Sequence, residues 1–355
     1  MTESRPIFIE QGRGVCMSRR ICQRGCSLGG YFNANSTLIP WGLKTGNLTL
    51  KPNSVVHSIL YDEDQKKAIG VRVIDSNSKV SQDYFAKVVF VSASTLNTNL
   101  ILLNSKSKRF PNGLGNDNGL LGKFIAFHNY RATINAEFEG FPQYTTEGAK
   151  PTSHYIPRFR NVYRQETDFL RGYAAGFGAQ PNRETNKEGF GAELSNQLLS
   201  TKETGVWNVN SHMMGETIPK ESNLVSLDQE KTDAWGIPLL NIDVDYDDND
   251  EKMIQDFYEQ FSEMYEKSGF VNIKTNDNGR RPGNDIHEMG GVRMGKNPKT
   301  SLLNAWNQMH ECKNVFVTDG ACMTSTSTQN PSLTFMAISA RAANYAIRQM
   351  KKGLI

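Results

Sequence analysis

Apolar residues in this chain change their rhythm several times, and each change marks a predicted element. Val55 to Tyr61 and Ala68 to Ile74 are β-rich runs separated by the polar turn Asp62-Glu-Asp-Gln-Lys-Lys67, which predicts a hairpin. Lys87-Val-Val-Phe-Val91 is a short apolar run of the buried-strand type. It leads through Ser92-Ala-Ser94 into a predicted helix over Thr95 to Leu103. Small residues at such a strand-to-helix turn let a backbone approach a bound nucleotide, and the helix start favours phosphate. Many such turns carry Ser and Ala merely to pack, so the signal needs support from elsewhere.

From about residue 126 the pattern becomes partial alternation, as in Tyr130 to Phe138, Val206 to Met213 and, more cleanly, Leu239 to Tyr246. This predicts a mainly antiparallel sheet. Asp250 to Ser268 carries Met253, Phe257, Phe261, Met264 and Tyr265 at three- and four-residue steps, an amphipathic helix whose aromatics belong to a core. Asn314 to Thr318 is a short strand ending in Asp319-Gly320. Asn330 to Ile347 is a helix for which Asn330 is the expected cap and Pro331 the first helical residue. The expected organisation is therefore a nucleotide-binding part over 1–125, an inserted substrate (cap) domain over 126–284, and a return to the first part over 285–355.

Composition narrows the classes. With 355 residues, 22% charged and 38% hydrophobic, the chain has the makeup of an ordinary globular protein. A net charge of +3 with scattered basic residues gives no nucleic-acid footprint. No apolar run approaches the roughly eighteen residues of a membrane span. The N-terminus lacks the apolar run of a signal peptide, and the compartment stays open between cytoplasm and periplasm.

Three C-terminal segments carry candidate chemistry: His287-Glu-Met-Gly-Gly-Val-Arg-Met-Gly295, Val317-Thr-Asp-Gly320 and Thr328-Gln-Asn-Pro-Ser-Leu-Thr334. Oxidising an alcohol by hydride transfer needs a base, a redox cofactor facing the carbon, and positive potential for the reduced cofactor. His287 titrates near neutrality and suits the base. Asn330 can hold the substrate oxygen, and the helix start beside it offers free N–H groups. Asp319 ends a strand, where a carboxylate can accept from a cofactor's hydroxyls or from nearby backbone. Each residue alone has an ordinary structural reading; the ordered set does not.

That ordered set resembles the C-terminal region of the glucose-methanol-choline (GMC) oxidoreductases, and the His/Asn pairing is similar to the branch of pyranose oxidase and bacterial FAD-dependent sugar dehydrogenases. The resemblance implies an α/β fold, α+β taken as a whole. Its parts are an FAD-binding Rossmann-like domain, incomplete here, and an inserted antiparallel-sheet substrate domain. It implies FAD as cofactor, an alcohol or sugar as substrate, dehydrogenase chemistry in preference to oxidase, and an electron-acceptor protein as partner. His287 becomes the base and Asn330 its partner, with Asp319, Gly320, Asn330 and Pro331 lining the flavin. Upstream, Asn47 to His57 matches the segment whose valine contacts the adenine, here Val56. Ala93 and Ser94 match the small-residue turn beside the diphosphate, and Asn33-Ala-Asn-Ser-Thr37 resembles a segment of the same branch.

Two departures stand out. The family often has Gly-Thr where this chain has Gly290-Gly291, which removes a hydroxyl near the flavin. The family also opens with a Gly-x-Gly-x-x-Gly turn for the ADP half of FAD, and Gly12-Arg-Gly14 lacks both the preceding strand and the third glycine. The expectation is an N-terminally truncated chain that binds FAD poorly alone and is prone to misfold. The competing reading is a non-catalytic fragment, or one subunit of a split protein. Cys16, Cys22 and Cys26 cluster in an Arg- and Gly-rich segment. Small buried cysteines or a loop disulfide are the favoured reading, with an iron–sulfur site the lesser one.

Overall fold

The computed structural model describes residues 10–17, 22, 25–140, 154–181, 189–200, 206–282 and 286–355. The chain divides into two compact units. One comprises Met1–Pro52, Glu137–His154 and Gly178–Val209; the other comprises Asn53–Ala136, Tyr155–Phe177 and Asn210–Ile355.

In the first unit, helix α1 spans Leu38–Lys44. Its approach is an Asn turn: the Asn33 side-chain oxygen accepts from the Ser36 amide at 2.9 Å.

The second unit opens with the expected hairpin. Strands β1 (Ser54–Asp62) and β2 (Lys67–Asp75) pair antiparallel, with Val55 opposite Ile74 and Ile59 opposite Val71. A third strand, β3 (Ser81–Phe85), adds to β2. Strand β4 (Val89–Val91) follows and leads into α2 (Thr95–Asn104). Val89 and Val91 are buried while Phe90 between them is 41% exposed, so β4 has one covered face rather than two.

The middle of the chain is antiparallel. Strands β5 (Lys123–Ala126), β6 (His128–Asn129), β7 (Ala132–Phe138), β8 (His154–Ile156) and β9 (Tyr173–Pro181) come first. Helix α3 (Gly191–Ser200), strands β10 (Trp207–Glu216), β11 (Leu224–Thr232) and β12 (Pro238–Asp243), helix α4 (Asp248–Lys267) and strand β13 (Val271–Asp277) follow. One sheet has the order β13-β7-β10-β9-β8, with β6 added to β10. Another has the order β12-β11-β5-β14, where β14 is Met289–Gly291. Helix α4 buries Met253, Ile254, Phe257, Phe261 and Tyr265, the face its apolar spacing predicts. Phe257 and Phe261 meet the ring of Tyr173, and the Tyr173 hydroxyl donates to Asp256 at 2.6 Å. Burying each such ring is worth about 1.5–3 kcal/mol, so this aromatic layer fixes α4 to β9.

The chain then returns to β4. Strand β15 (Val315–Val317) pairs parallel to it, Phe316 opposite Phe90. Buried Asn314 joins three segments: it donates to the carbonyls of Ala68 and Lys87 and accepts from the Ala68 amide. Helix α5 (Ser332–Lys351) packs Ala342 and Ala346 onto Phe316. Its start differs from the expectation: Pro331 occupies the cap position, no side chain caps the helix, and Asn330 lies outside it. The proline ring disfavours helical geometry for the residue before it, which pushes Asn330 out of the turn.

Candidate active site

Two parallel strands end side by side, and the expected cofactor residues lie at those ends. After β4 come Ser92, Ala93 and Ser94; after β15 come Thr318, Asp319 and Gly320. The hydroxyls of Ser92 and Thr318 meet at 2.7 Å. Thr98, one turn into α2, donates its hydroxyl to Asp319 at 2.5 Å, and the Ala321 amide donates to the other carboxylate oxygen at 2.9 Å. Asp319 thus starts the short 3₁₀ turn Gly320–Cys322 and is itself buried. Both its oxygens are engaged within the protein, and burial raises its pKa above the usual carboxylate value despite those bonds.

Open helix starts flank these residues. Ser94 is exposed, has φ +70° and gives α2 no side-chain cap. At α5, residues Ser332, Leu333 and Thr334 are exposed and again no side chain caps the turn. Amide donors left open at a helix start, beside the carboxyl ends of parallel strands, suit an anionic cofactor. These residues therefore fit a dinucleotide such as FAD. Val56 lies on β1 next to a bulge, half-buried against the same core as Ala93.

The imidazole of His287 stands in the loop before β14. Its backbone has φ +69°, left-handed geometry rare for a residue with a side chain. The ring is half-buried, and desolvation lowers its pKa. Its Nδ1 lies 2.9 Å from Nδ1 of His128, the rings meeting edge to face at 4.9 Å between centroids. His128 is fully buried on β6, and its Nε2 donates to the Ser327 carbonyl at 2.9 Å. Desolvation, and next the neighbouring His287, push the His128 pKa down to about 4. Ser327 also has positive φ, +58°. Backbone strain of about 1–3 kcal/mol at each of two positions marks a place held for more than packing.

Aromatic groups extend the cluster. Tyr130 lies 6.5 Å from His287 between centroids and stacks on His212 at 5.5 Å. His212 has room because residue 176 is glycine: a Cβ there would come within 2.2 Å of the ring. The Tyr155 hydroxyl donates to the Thr328 carbonyl at 3.2 Å. His128 and Tyr155 thus both grip the backbone of residues 327–328, just ahead of Asn330, and the chain His287–His128–Ser327 ties the expected base to the segment carrying its expected partner. Asn330 itself is exposed. His128, Tyr130, Tyr155 and His212 were not singled out by the sequence; a histidine and a tyrosine two apart, His128 and Tyr130, next to an alternating strand were the available signal.

The three N-terminal cysteines behave otherwise. Cys16, Cys22 and Cys26 are unpaired thiols, and among the described residues no three His, Cys, Asp or Glu side chains converge as a metal site. The Cys26 sulfur faces the amides of Tyr31 and Leu28, which lower its pKa. All three are partly buried.

Parallel strands ending at open helix starts, next to a strained His287 bonded to buried His128, are the layout of a nucleotide-cofactor site. The N-terminal GMC oxidoreductase model matches residues 8–128 and the C-terminal one residues 219–339. The chain belongs to the GMC oxidoreductase family, whose members are FAD-binding flavoproteins. It is 32% identical over 302 residues to 2-methyl-1,2-propanediol dehydrogenase of Mycolicibacterium austroafricanum, covering 80% of this chain and 52% of that protein. It is 26% identical to the fructose dehydrogenase large subunit of Gluconobacter japonicus, covering 96% of this chain and 61% of the other. Formate oxidase of Aspergillus oryzae RIB40 shares the fold with a TM-score of 0.62 at 12% identity, covering 90% of this chain and 64% of that one. The chain spans between half and two thirds of the length of these relatives. Among the described residues no helix is long and apolar enough to cross a membrane.

Proposed function

We propose that this chain carries the alcohol-oxidising centre of an FAD-dependent dehydrogenase acting on a sugar or small polyol, with His287 as the base. The observation that carries the reading is the half-buried, strained imidazole of His287, hydrogen-bonded to buried His128. Bound FAD supplies the hydride acceptor. His287 takes the hydroxyl proton as the carbinol C–H leaves with its electron pair, and the alcohol becomes a carbonyl. Burial keeps the imidazole neutral, the state a base needs. Asn330 orients the substrate oxygen. Ala93, Ser94, Asp319, Gly320, Asn330 and Pro331 would line the cofactor, with Val56 toward its adenine.

A sugar or polyol is favoured by the stacked Tyr130–His212 pair next to His287, a flat face with polar edges. The relatives named as dehydrogenases act on a diol and on fructose, which supports hydroxyl-rich substrates and transfer of electrons to an acceptor protein. Residues 1–125 and 285–355 would bind FAD and residues 126–284 would bind substrate.

The test is anaerobic flavin reduction by a panel of sugars and diols, with the FAD-loaded protein followed in single turnover. His287→Ala should slow reduction about 10²- to 10⁴-fold, the usual contribution of a positioned base. Reduction at the wild-type rate would remove His287 from the role.

A further inference from the structure

We infer that His128 is a positioning residue that holds His287 in its Nδ1–H tautomer, leaving the Nε2 lone pair of His287 as the base. This rests on the proposed role of His287 and goes beyond it by naming the atom that acts and the residue that selects it.

The argument is a proton count along one chain of contacts. The Ser327 carbonyl can only accept, so the 2.9 Å contact requires a proton on Nε2 of His128. His128 is fully buried, faces a second imidazole and is neutral at physiological pH, so it carries one ring proton. Its Nδ1 is then a bare lone pair. Nδ1 of His287 lies 2.9 Å from that atom. Two lone pairs do not approach to that distance, so His287 must place its own proton on Nδ1 and donate it. A neutral imidazole has no second proton, and Nε2 of His287 is left as an acceptor. Which ring nitrogen is protonated is set by the hydrogen bond the other one makes, and here that rule runs through two rings in series.

Position supports the count. His128 lies on β6, whose backbone pairs with β10 (His128 opposite Glu216), so its ring cannot drift with a loop. The two strained residues, His287 at φ +69° and Ser327 at φ +58°, are the two that exchange hydrogen bonds with it. Strain at both ends of one relay is what holding a particular tautomer requires, since a packing role alone would be met by an apolar ring of the same size.

Nuclear magnetic resonance of the full chain with ¹⁵N-labelled histidine tests the inference, because two-bond couplings report which ring nitrogen holds the proton. The chain has 6 histidines, few enough to assign by single substitution. At pH 7.5 the expected spectrum has His128 protonated on Nε2 and His287 on Nδ1. In His128→Phe, or in His128→Leu should the first not fold, the His287 proton should move to Nε2. A wild-type His287 protonated on Nε2, or one that keeps Nδ1–H without His128, overturns the inference. The readout needs no turnover, so it fails separately from the base role: His287→Ala with undiminished flavin reduction would sink the role and leave the tautomer standing.

Discussion

Thr98 donates its hydroxyl to Asp319 at 2.5 Å, joining the start of α2 to the end of β15 where two parallel strands finish together. Neither residue is exposed, and the Ala321 amide donates to the other carboxylate oxygen. Thr98→Val keeps the volume and removes the donor, which should cost about 1–3 kcal/mol, the usual penalty for an orphaned buried acceptor. Thr98→Ser should restore most of it. The sign with pH follows from the raised pKa of Asp319, whose principal cause is burial. The folded state favours the neutral acid, so losing a donor to the charged form hurts more at pH 8 than at pH 5. Urea unfolding at the two values decides it; equal deficits would mean that Asp319 keeps one charge state across that range.

Gly291 faces Asn99 so closely that a Cβ would lie 2.2 Å from the amide oxygen, and its φ is +88°. Asn99 is fully buried and donates to the carbonyls of Thr95 and Gly290, which pins α2 against β14. The threonine common at this place in the family therefore cannot be restored here without moving Asn99. Gly291→Thr should lose at least about 1–3 kcal/mol from backbone strain alone, and the double variant Gly291→Thr/Asn99→Ala should recover part of it. Thermal melts of both variants test this, and a neutral single substitution would show that Asn99 moves aside freely.

These two sites show what the sequence made legible. Helix α4 follows from local periodicity, since one face of it is buried and the other is not, and the hairpin β1–β2 follows from two β-rich runs around a polar turn. Strand β3, Ser-Gln-Asp-Tyr-Phe, has no alternation and sits on an edge with little burial, so its pairing comes from β2 and not from its own residues. The motifs marked His287, Asp319 and Gly320, but Thr98 and Asn99 read only as helix interior, because their partners lie about two hundred residues away. His128 escaped for the same reason: its meaning is a contact with His287 and a carbonyl at Ser327, and no local pattern encodes either. Asn330 was legible as a residue and misplaced as a cap, because the proline after it governs its backbone.

Protonation of the histidine pair should make stability depend on acid. His128 is depressed from 6.5 to about 4, chiefly by desolvation, and His287 is lowered by the same cause. Between those values the unfolded chain binds more protons than the folded one, so stability is present above pH 6.5 and is lost as pH falls toward 4. The melting temperature should drop through this window, and His128→Phe should flatten the decline. A variant with the wild-type slope would place the acid sensitivity in other groups.

Asp250 predicts the opposite trend. It sits at the third position of α4, accepts from the Asp247 amide at 3.1 Å in a capping box, and is 3% exposed with its Oδ1 lacking a partner. Burial, with Asp247 close by, raises its pKa from 3.8 to about 7, while Lys220, paired to Asp247 at 3.2 Å, offsets only part of this. A raised carboxyl contributes stability that is full below pH 3.8 and lost as pH rises through about 7. Asp250→Asn keeps an acceptor for the Asp247 amide and removes the buried charge. It should be near neutral below pH 3.8, and between pH 5 and pH 8 its advantage should grow by about 1–3 kcal/mol, given roughly 1.4 kcal/mol per pKa unit. Urea midpoints at both values check the difference. A variant less stable than wild type at pH 8 would mean that the ionised carboxylate contributes to the start of α4 more than its burial costs.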